Sequence, residues 1–326
     1  RAHLSYAHII DVTGSPGQIY GASQSGVLII NKEYNSTETI DKAQGLSDAG
    51  ISSVHYTPQH GVLLVGYENG NLDILKNGKV QNYSYLKNHA YYTRKSIQNI
   101  LVKGDKALMS CPFGIAVFDL NQREFEDVFS LEQGNTVSVH DVAFDEEYYY
   151  AATENGLYYA EVGSFNLYDP ASWQQAGILS GDLHAIAVET FGGKLVVAAN
   201  GQQGKDRVYV AEGLSDYEIL EEDVEVQQLY GANSRMYLSS NTEVRIYNSS
   251  LILTGTISAY DFGKPFPTSV FMDEEGVLWI GDNGSGLVKY QDHAVEQILY
   301  NGPETTHFFS LAGSGEHIYV TPGGYN

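Results

Sequence analysis

A unit of about 40 to 47 residues recurs seven times along this chain of 326 residues. Each unit opens on a short apolar run, and a turn leads to a second run, as in GVLLVGY of the second unit. A glycine-rich corner then leads to a third run, and most units close on a fourth, more polar run. Repeats of this period are typical of propeller blades and of solenoid units. The seven units begin at Ala7, Ile51, Ser96, Val137, His184, Val224 and Thr268.

The runs inside each unit are typical of β-strands. They are short and rich in Val, Ile, Tyr and Leu, and many are almost continuously apolar, as expected for strands that are buried on both faces. Helical periodicity is nearly absent, apart from a short stretch at DPASWQQ. Four strands in each of seven units predict an all-β fold, a single seven-bladed β-propeller of four-stranded antiparallel blades over residues 1–304.

Residues 305–326 begin an eighth unit, which supplies two strand-like runs. A lone two-stranded hairpin is only marginally stable in water. We therefore expect this segment either to dock on the ring or to begin a second propeller. The chain starts at Arg1, so we also expect that an upstream piece, either a signal peptide or an expression tag, has been removed.

The charge balance excludes one large class of partner. Lys and Arg number 18 against 40 Asp and Glu, which gives a net charge of -22. Nucleic acids and anionic lipid surfaces need a basic face, so neither is an expected partner. No stretch approaches the roughly 18 apolar residues that a membrane-spanning helix needs. The single cysteine, Cys111, lies in an apolar run and is predicted to be a buried packing residue.

No catalytic or metal-binding constellation is visible. The ten histidines show no close zinc spacing. DEEGVLW resembles the Asp-box of sialidases only in part, because two residues separate Asp273 from Gly276 instead of one. The loop GDNGSG has oxygen ligands but lacks the acidic spacing of an EF-hand, and a calcium ion there is left open. The sequence therefore predicts no enzyme, no cofactor and no metal site.

The motifs GLSDAGISSVHY, GVLLVGYENGNLDIL and DEEGVLWIGDNGSGLVKY resemble the two-component regulator propeller repeat. The order of all the motifs, down to YVTPGG, resembles the N-terminal propeller of the PorZ family of the type IX secretion system. The resemblance implies an exported protein of an attachment complex at the outer membrane surface, which joins cargo to an anionic lipopolysaccharide. It also implies two propellers and a C-terminal sorting domain, and it carries no catalytic motif.

These observations favour a non-catalytic protein-interaction scaffold of the cell envelope, exported to the periplasm or the outer-membrane surface. Its expected partners are envelope proteins, with lipopolysaccharide or another glycan as a further possibility. The alternative is a periplasmic propeller of a hybrid two-component regulator that senses an oligosaccharide. A kinase or a sorting domain in the full gene would discriminate between the two.

One insert stands out as a candidate binding surface. LKNHAYYTRKS joins the second and third blades and combines tyrosines with basic residues, which often anchor interfaces. Loops between blades and loops between the second and third strands of a blade are expected on one face. An ordinary solvated loop is the alternative for this insert. The predicted candidate surface consists of Tyr91, Tyr92 and Arg94, with the corner residues Tyr67, Glu68, Phe113, Glu154 and Asn283.

Overall fold

The computed structural model describes residues 6–177, 184–200, 204–214, 216–298, 308–314 and 317–322. Seven four-stranded sheets follow one another along the chain, and in each sheet four consecutive strands pair antiparallel in chain order. The prediction of a seven-bladed β-propeller with four-stranded antiparallel blades is confirmed. Each blade is built from one contiguous repeat unit.

The first four blades contain sixteen strands. Blade 1 comprises β1 Asp11–Ser15, β2 Gln18–Ser23, β3 Gly26–Asn31 and β4 Ser36–Asp41. Blade 2 comprises β5 Ile51–Thr57, β6 Val62–Tyr67, β7 Leu72–Lys76 and β8 Lys79–Tyr83. Blade 3 comprises β9 Asn99–Lys103, β10 Lys106–Cys111, β11 Gly114–Asp119 and β12 Glu124–Phe129. Blade 4 comprises β13 Val139–Phe144, β14 Tyr148–Thr153, β15 Gly156–Glu161 and β16 Gln174–Gln175.

The other three blades follow the same order, and a separate hairpin comes last. Blade 5 comprises β17 Ala185–Phe191, β18 Lys194–Asn200, β19 Asp206–Glu212 and β20 Asp216–Val224. Blade 6 comprises β21 Val226–Ala232, β22 Arg235–Ser240, β23 Val244–Tyr247 and β24 Leu253–Ile257. Blade 7 comprises β25 Pro267–Met272, β26 Leu278–Asp282, β27 Gly286–Gln291 and β28 Ala294–Ile298. The hairpin pairs β29 Phe308–Ser314 with β30 His317–Pro322.

Among the described residues, helix is confined to three short turns. Lys42–Gln44 and Pro170–Ser172 are 3-10 helices, and α1 spans Tyr85–Asn88. The stretch DPASWQQ that suggested a helix thus forms one 3-10 turn. The turn is followed by Trp173, whose indole donates to the carbonyl of Leu167 at 3.0 Å.

The core lies between neighbouring blades, because each sheet packs its two faces against the sheets beside it. One cluster joins blades 2 and 3 and contains Leu64, Ile74, Met109 and Phe118. Cys111 belongs to this cluster and is fully buried. Burial raises the pKa of its thiol to about 12. The prediction of a buried packing residue is confirmed.

The ring closes where blade 7 meets blade 1. Among the described strands, none from one end of the chain pairs into the blade at the other end. The Thr268 hydroxyl donates to the carbonyl of Ile9 at 2.8 Å, and the Ile9 amide donates to the carbonyl of Asp282 at 3.1 Å. Lys32 of blade 1 pairs with the carboxylate of Asp273 of blade 7 at 3.2 Å. The Gly286 amide also donates to the carbonyl of Ala7 at 2.9 Å, so the junction depends on side chains and on a short run of backbone contacts.

The first strand of each blade lines a central channel, and its inner edge has no neighbouring strand. Three carboxylates act as acceptors for some of the unpaired backbone amides of this edge. Each accepts one amide from its own strand and one from the next blade. The pairs are Asp11 with Val12 and Val54 at 2.9 and 2.8 Å, Asp141 with Val142 and Val188 at 2.8 and 3.0 Å, and Glu189 with Thr190 and Gly231 at 2.9 and 3.0 Å. These carboxylates therefore connect consecutive blades at the centre of the ring.

Burial raises the pKa of Asp11 to about 7, that of Asp141 to about 6 and that of Glu189 to about 7. A carboxyl group whose pKa is higher in the folded state binds protons more tightly there, so its contribution to stability falls as the pH rises through the folded pKa. We expect the free energy of unfolding to fall between about pH 5 and pH 8. Urea unfolding at both pH values checks this. Glu189→Gln is expected to reduce this fall in the free energy of unfolding. Glu218→Gln, at an exposed position on β20, is expected to leave the fall unchanged. An equal fall in the two variants would contradict the assignment of the pH dependence to the channel carboxylates.

Candidate functional site

The predicted candidate surface lies on what we call the upper face, the face on which the connections between blades open. Its main feature is the connection from β8 to β9. An aromatic stack holds this connection against blade 3. Tyr92 stacks on Phe113 with ring centroids 3.7 Å apart, and His89 stacks on the other side of Tyr92 at 4.8 Å. The connection is therefore an ordered part of the upper face.

Two predicted aromatic residues do not lie at the surface. Tyr67 is fully buried, and its hydroxyl donates to Asp73 at 2.6 Å. Phe113 is buried beneath the ring of Tyr92. The expectation that both side chains are open on the upper face is wrong, because the Tyr67 hydroxyl is bound to Asp73 of β7 and Phe113 is covered by Tyr92 of the β8–β9 connection. Tyr92, also predicted for the surface, is half-buried and packs against the core cluster of blades 2 and 3.

Two cavities flank Arg94, and they bring together six of the eight predicted residues. The first has a volume of about 350 Å³ and is lined by Tyr91, Tyr92, Arg94, Phe113 and Glu154 among others. The second, of about 400 Å³, is lined by Glu68 and Arg94 together with Lys87, Lys95 and Pro112. Arg94 and Pro112 border both cavities. The upper face of blades 2 to 4 is thus concave on both sides of one guanidinium.

The basic residues of this connection differ in how they are used. Lys87 forms an ion pair with Asp48. Burial opposes ionisation of Asp48, but hydrogen bonds from Lys87 and Asn69 outweigh it and lower the pKa of Asp48 to about 2. Lys95 donates to the carbonyl of Lys87 at 2.7 Å. Arg94 is exposed and has no hydrogen bond or ion pair with any residue in the described part of the chain. Its guanidinium remains available to an external acceptor.

The remaining predicted residues have partners of their own. Glu68 is exposed and accepts from Gln24 at 3.1 Å, while Glu154 is half-buried and accepts the amide of Ser138 at 2.9 Å. Asn283 lies on blade 7 and contacts the ring of His8 at 2.9 Å. Asn283 therefore belongs to a different sector of the upper face from the other predicted residues.

Sequence reasoning missed several residues that line these cavities. Pro112, Thr136 and Ser138 border them, and Asp48 holds Lys87 in place. Pro112 directly precedes a predicted corner residue, and this proximity was the only available signal. Thr136 and Ser138 belong to the connection that leads into blade 4, whose position beside Arg94 depends on the ring geometry.

Within the described ranges, no group of three or more His, Cys, Asp and Glu side chains is arranged to hold a metal ion. In the same part of the chain, no helix has the length and apolar character that crossing a membrane requires.

A family model described as the N-terminal β-propeller domain of PorZ from the type IX secretion system matches residues 19–174. The structure of PorZ from Porphyromonas gingivalis, described as an essential bacterial surface component of that system, aligns with a TM-score of 0.78 at 22% sequence identity. The alignment covers 100% of this chain and 43% of that chain, so this chain spans less than half of the similar protein. At this identity the likeness shows the fold alone. No curated protein matches. The resemblance stated from the sequence motifs is confirmed.

Proposed function

We propose, from the match of residues 19–174 to the PorZ N-terminal propeller model, that this chain is a non-catalytic interaction module of the type IX secretion machinery at the cell envelope. The family match is the observation that carries the proposal. The fold agrees with the proposal, since the whole of this chain aligns with 43% of the PorZ chain. A propeller fold by itself assigns no function, since unrelated activities share it.

The upper face around Arg94 is the surface that we propose for a partner protein of the envelope. Tyr91 is 75% exposed, and Arg94 has no acceptor within the described residues. An exposed tyrosine beside a free guanidinium between two cavities fits the composition of interface anchors. The acceptor that Arg94 needs is a carboxylate or phosphate, which either an acidic loop of a partner protein or an anionic glycan supplies.

The alternative function, an oligosaccharide sensor of a hybrid two-component system, finds less support. Sugar sites commonly use an exposed aromatic face for stacking. Both tryptophans of the chain, Trp173 and Trp279, are buried, at 5% and 4% exposure. They pack between blades and leave no indole face for a sugar.

We also propose that the segment 305–326 begins a further blade. Its strands β29 and β30 pair antiparallel with a register shift between Phe308 and Ser310. In five blades the pairing of the first strand with the second has a register shift at the same place, near the start of the first strand. Examples are the shifts between Ile51 and Ser53 and between Val226 and Gln228. Such a bulge places one extra residue at the start of the innermost strand. The shared bulge favours the interpretation that β29 and β30 are the first and second strands of a blade, and not a hairpin that docks on the ring.

The double variant Tyr91→Ala, Arg94→Ala tests the upper face. Because both side chains are exposed, we expect the variant to fold normally and to bind envelope partners more weakly by about 1 to 4 kcal/mol. Pull-down from envelope extract measures this, with the variant and the wild type side by side.

The matched control is Tyr34→Ala, Lys79→Ala. It removes one exposed tyrosine from the loop between β3 and β4 and one positive charge from the first residue of β8, both on the opposite face. This control is expected to recover every partner as the wild type does. Equal recovery by both double variants would place the binding surface away from Arg94. If the wild type recovers no envelope protein but binds purified anionic glycan, the glycan is the acceptor of Arg94.

A further inference from the structure

The central channel encloses a cavity of about 410 Å³, to which all seven blades contribute. Its wall combines the carboxylates Asp11, Asp141 and Glu189 with the aromatic rings of Tyr56 and Tyr230. No Lys or Arg is among the described residues that line it. The channel is therefore an acidic cavity with partly aromatic walls.

The cavity continues to the upper face. A smaller cavity of about 150 Å³ shares Asp11 and Asp141 with the channel and is bordered by polar residues at the beginnings of the inner strands. His140 contacts the amide oxygen of Gln98 there at 3.1 Å. Ser269 also borders it, is 3% exposed, and has a hydroxyl without a hydrogen-bond partner within the described residues. The channel thus has a polar entrance.

The charge of the channel carboxylates is not balanced by the protein. Each accepts two backbone amides, and Asp141 also accepts the side-chain amide of Asn99, which leaves each carboxylate at least one further lone pair. None of the three forms an ion pair with a described Lys or Arg. After burial, the nearby charge of Asp141 is a further cause of the raised pKa of Glu189. A bound cation would relieve this repulsion.

The other groups that face the cavity suit a cation as well. Burial lowers the pKa of His55 to about 4, so its ring is neutral near pH 7 and offers an acceptor nitrogen. The side chain of His55 forms no hydrogen bond with any described residue, and it lines the channel. Near the other end, the ammonium of Lys103 lies over the rings of Phe144 and Tyr149, at 4.4 and 4.1 Å from their centroids, without a hydrogen bond to any described residue. Phe144 also lines the channel, so this wall already accepts an ammonium group by a cation–π contact.

We propose that the channel binds a primary ammonium group on an alkyl stem, which enters from the upper face. The ammonium donates to Asp141 and Glu189, whose charges interact between blades 4 and 5, and the stem packs against Tyr56 and Tyr230. An extended ligand fits better than a metal ion, because no three metal-binding side chains converge among the described residues. A free diamine and a lysine side chain of a partner share this chemistry. The proposal concerns the channel and is independent of the surface around Arg94.

Isothermal titration calorimetry with putrescine and with Nα-acetyl-lysine amide tests the proposal on the whole chain. Butanediol is the uncharged control. The titrations are run at about 0.15 M NaCl, where the Debye length is ~8 Å and attraction to the acidic surface is screened. We expect saturable binding of at least one amine at a single site and none of butanediol. Tighter binding of the lysine derivative would indicate a partner's lysine, and tighter binding of putrescine would indicate a free diamine.

Two variants locate the site. Glu189→Gln is expected to weaken amine binding about tenfold, as for the loss of one charge-assisted contact. Glu218→Gln removes the same charge from the exposed strand β20 and is expected to bind as the wild type does. If Glu189→Gln does not fold, Tyr56→Leu takes its place with the same expectation. Absence of saturable binding by both amines, or equal weakening by the channel and surface variants, would overturn the proposal. The Tyr91→Ala, Arg94→Ala variant is expected to bind the amines normally.

Discussion

Replacing Asp273 by alanine is expected to lower the free energy of unfolding by about 3 to 5 kcal/mol. The side chain of Asp273 is only 2% exposed, and its carboxylate accepts the indole N–H of Trp279 at 3.1 Å and the amide of Val277 at 2.9 Å. It also pairs with Lys32 across the junction of blades 7 and 1. Alanine leaves these donors without their acceptor in a buried position. Urea unfolding, followed by tryptophan fluorescence, measures the loss.

Glu275→Ala is the matched control for this variant. Glu275 is the second acidic partner of Lys32, at 3.1 Å, but its side chain is 63% exposed. An exposed ion pair contributes at most about 1 kcal/mol. We therefore expect a small loss, well below that of Asp273→Ala. Similar losses in the two variants would show that the buried hydrogen bonds of Asp273 are not what stabilises the junction.

Gly114→Ala is expected to destabilise the protein by about 3 to 5 kcal/mol, from backbone strain and overpacking together. Gly114 turns the chain between β10 and β11 with φ at 134°. A Cβ atom there would lie 2.6 Å from the carbonyl oxygen of Phe129 and 2.9 Å from the side chain of Val128. Neither the backbone of β12 nor the packed corner can move away without loss of strand pairing. The denaturation midpoint of the purified variant gives the effect.

Gly78→Ala separates conformational strain from crowding. Gly78 also has a positive φ, at 73°, but nothing lies within 4 Å of a Cβ atom at that position. Its substitution is expected to cost about 1 to 2 kcal/mol, the usual penalty for a non-glycine residue in the left-handed region. If both glycine variants lost the same stability, contact with Phe129 would not be the cause.

The number of blades was predictable because the sequence itself repeats the information. Each unit carries the same succession of apolar runs, and a glycine such as Gly114 marks the same corner in most of them. The fourth strand of blade 4 was the exception. It consists only of Gln174 and Gln175, two exposed polar residues without any strand pattern, which pair with Tyr158 and Tyr159.

The burial of Tyr67 was not predictable from its place beside a glycine-rich corner. Its hydroxyl is satisfied by Asp73, and that contact depends on how β6 and β7 pair. From the sequence alone, Asp145, Glu146 and Glu147 are interpreted as an ordinary solvated turn between two strands. In the structure, Asp145 accepts the amide of Tyr148 at 2.7 Å and the hydroxyl of Tyr150 at 2.8 Å, and so orders that turn. Local composition does not distinguish a solvated carboxylate from one that caps a turn.

The channel carboxylates also escape sequence reasoning. Asp11, Asp141 and Glu189 appear in the sequence as isolated carboxylates in the first strand of their blades, and each bonds a residue between 42 and 47 positions further along the chain. That separation equals the length of one repeat unit. The contact becomes apparent only when consecutive blades are placed side by side around the channel.

The construction of every blade from one contiguous unit determines how the ring responds to force. Because no strand is shared between the two ends of the described ring, pulling on Tyr6 and Ile298 loads the junction that contains Lys32 and Asp273 first. Once this junction parts, each terminal blade is held by its single remaining neighbour, as in a linear repeat array. The ring then lengthens blade by blade from its ends. A ring of this kind extends in steps under load instead of breaking as one body.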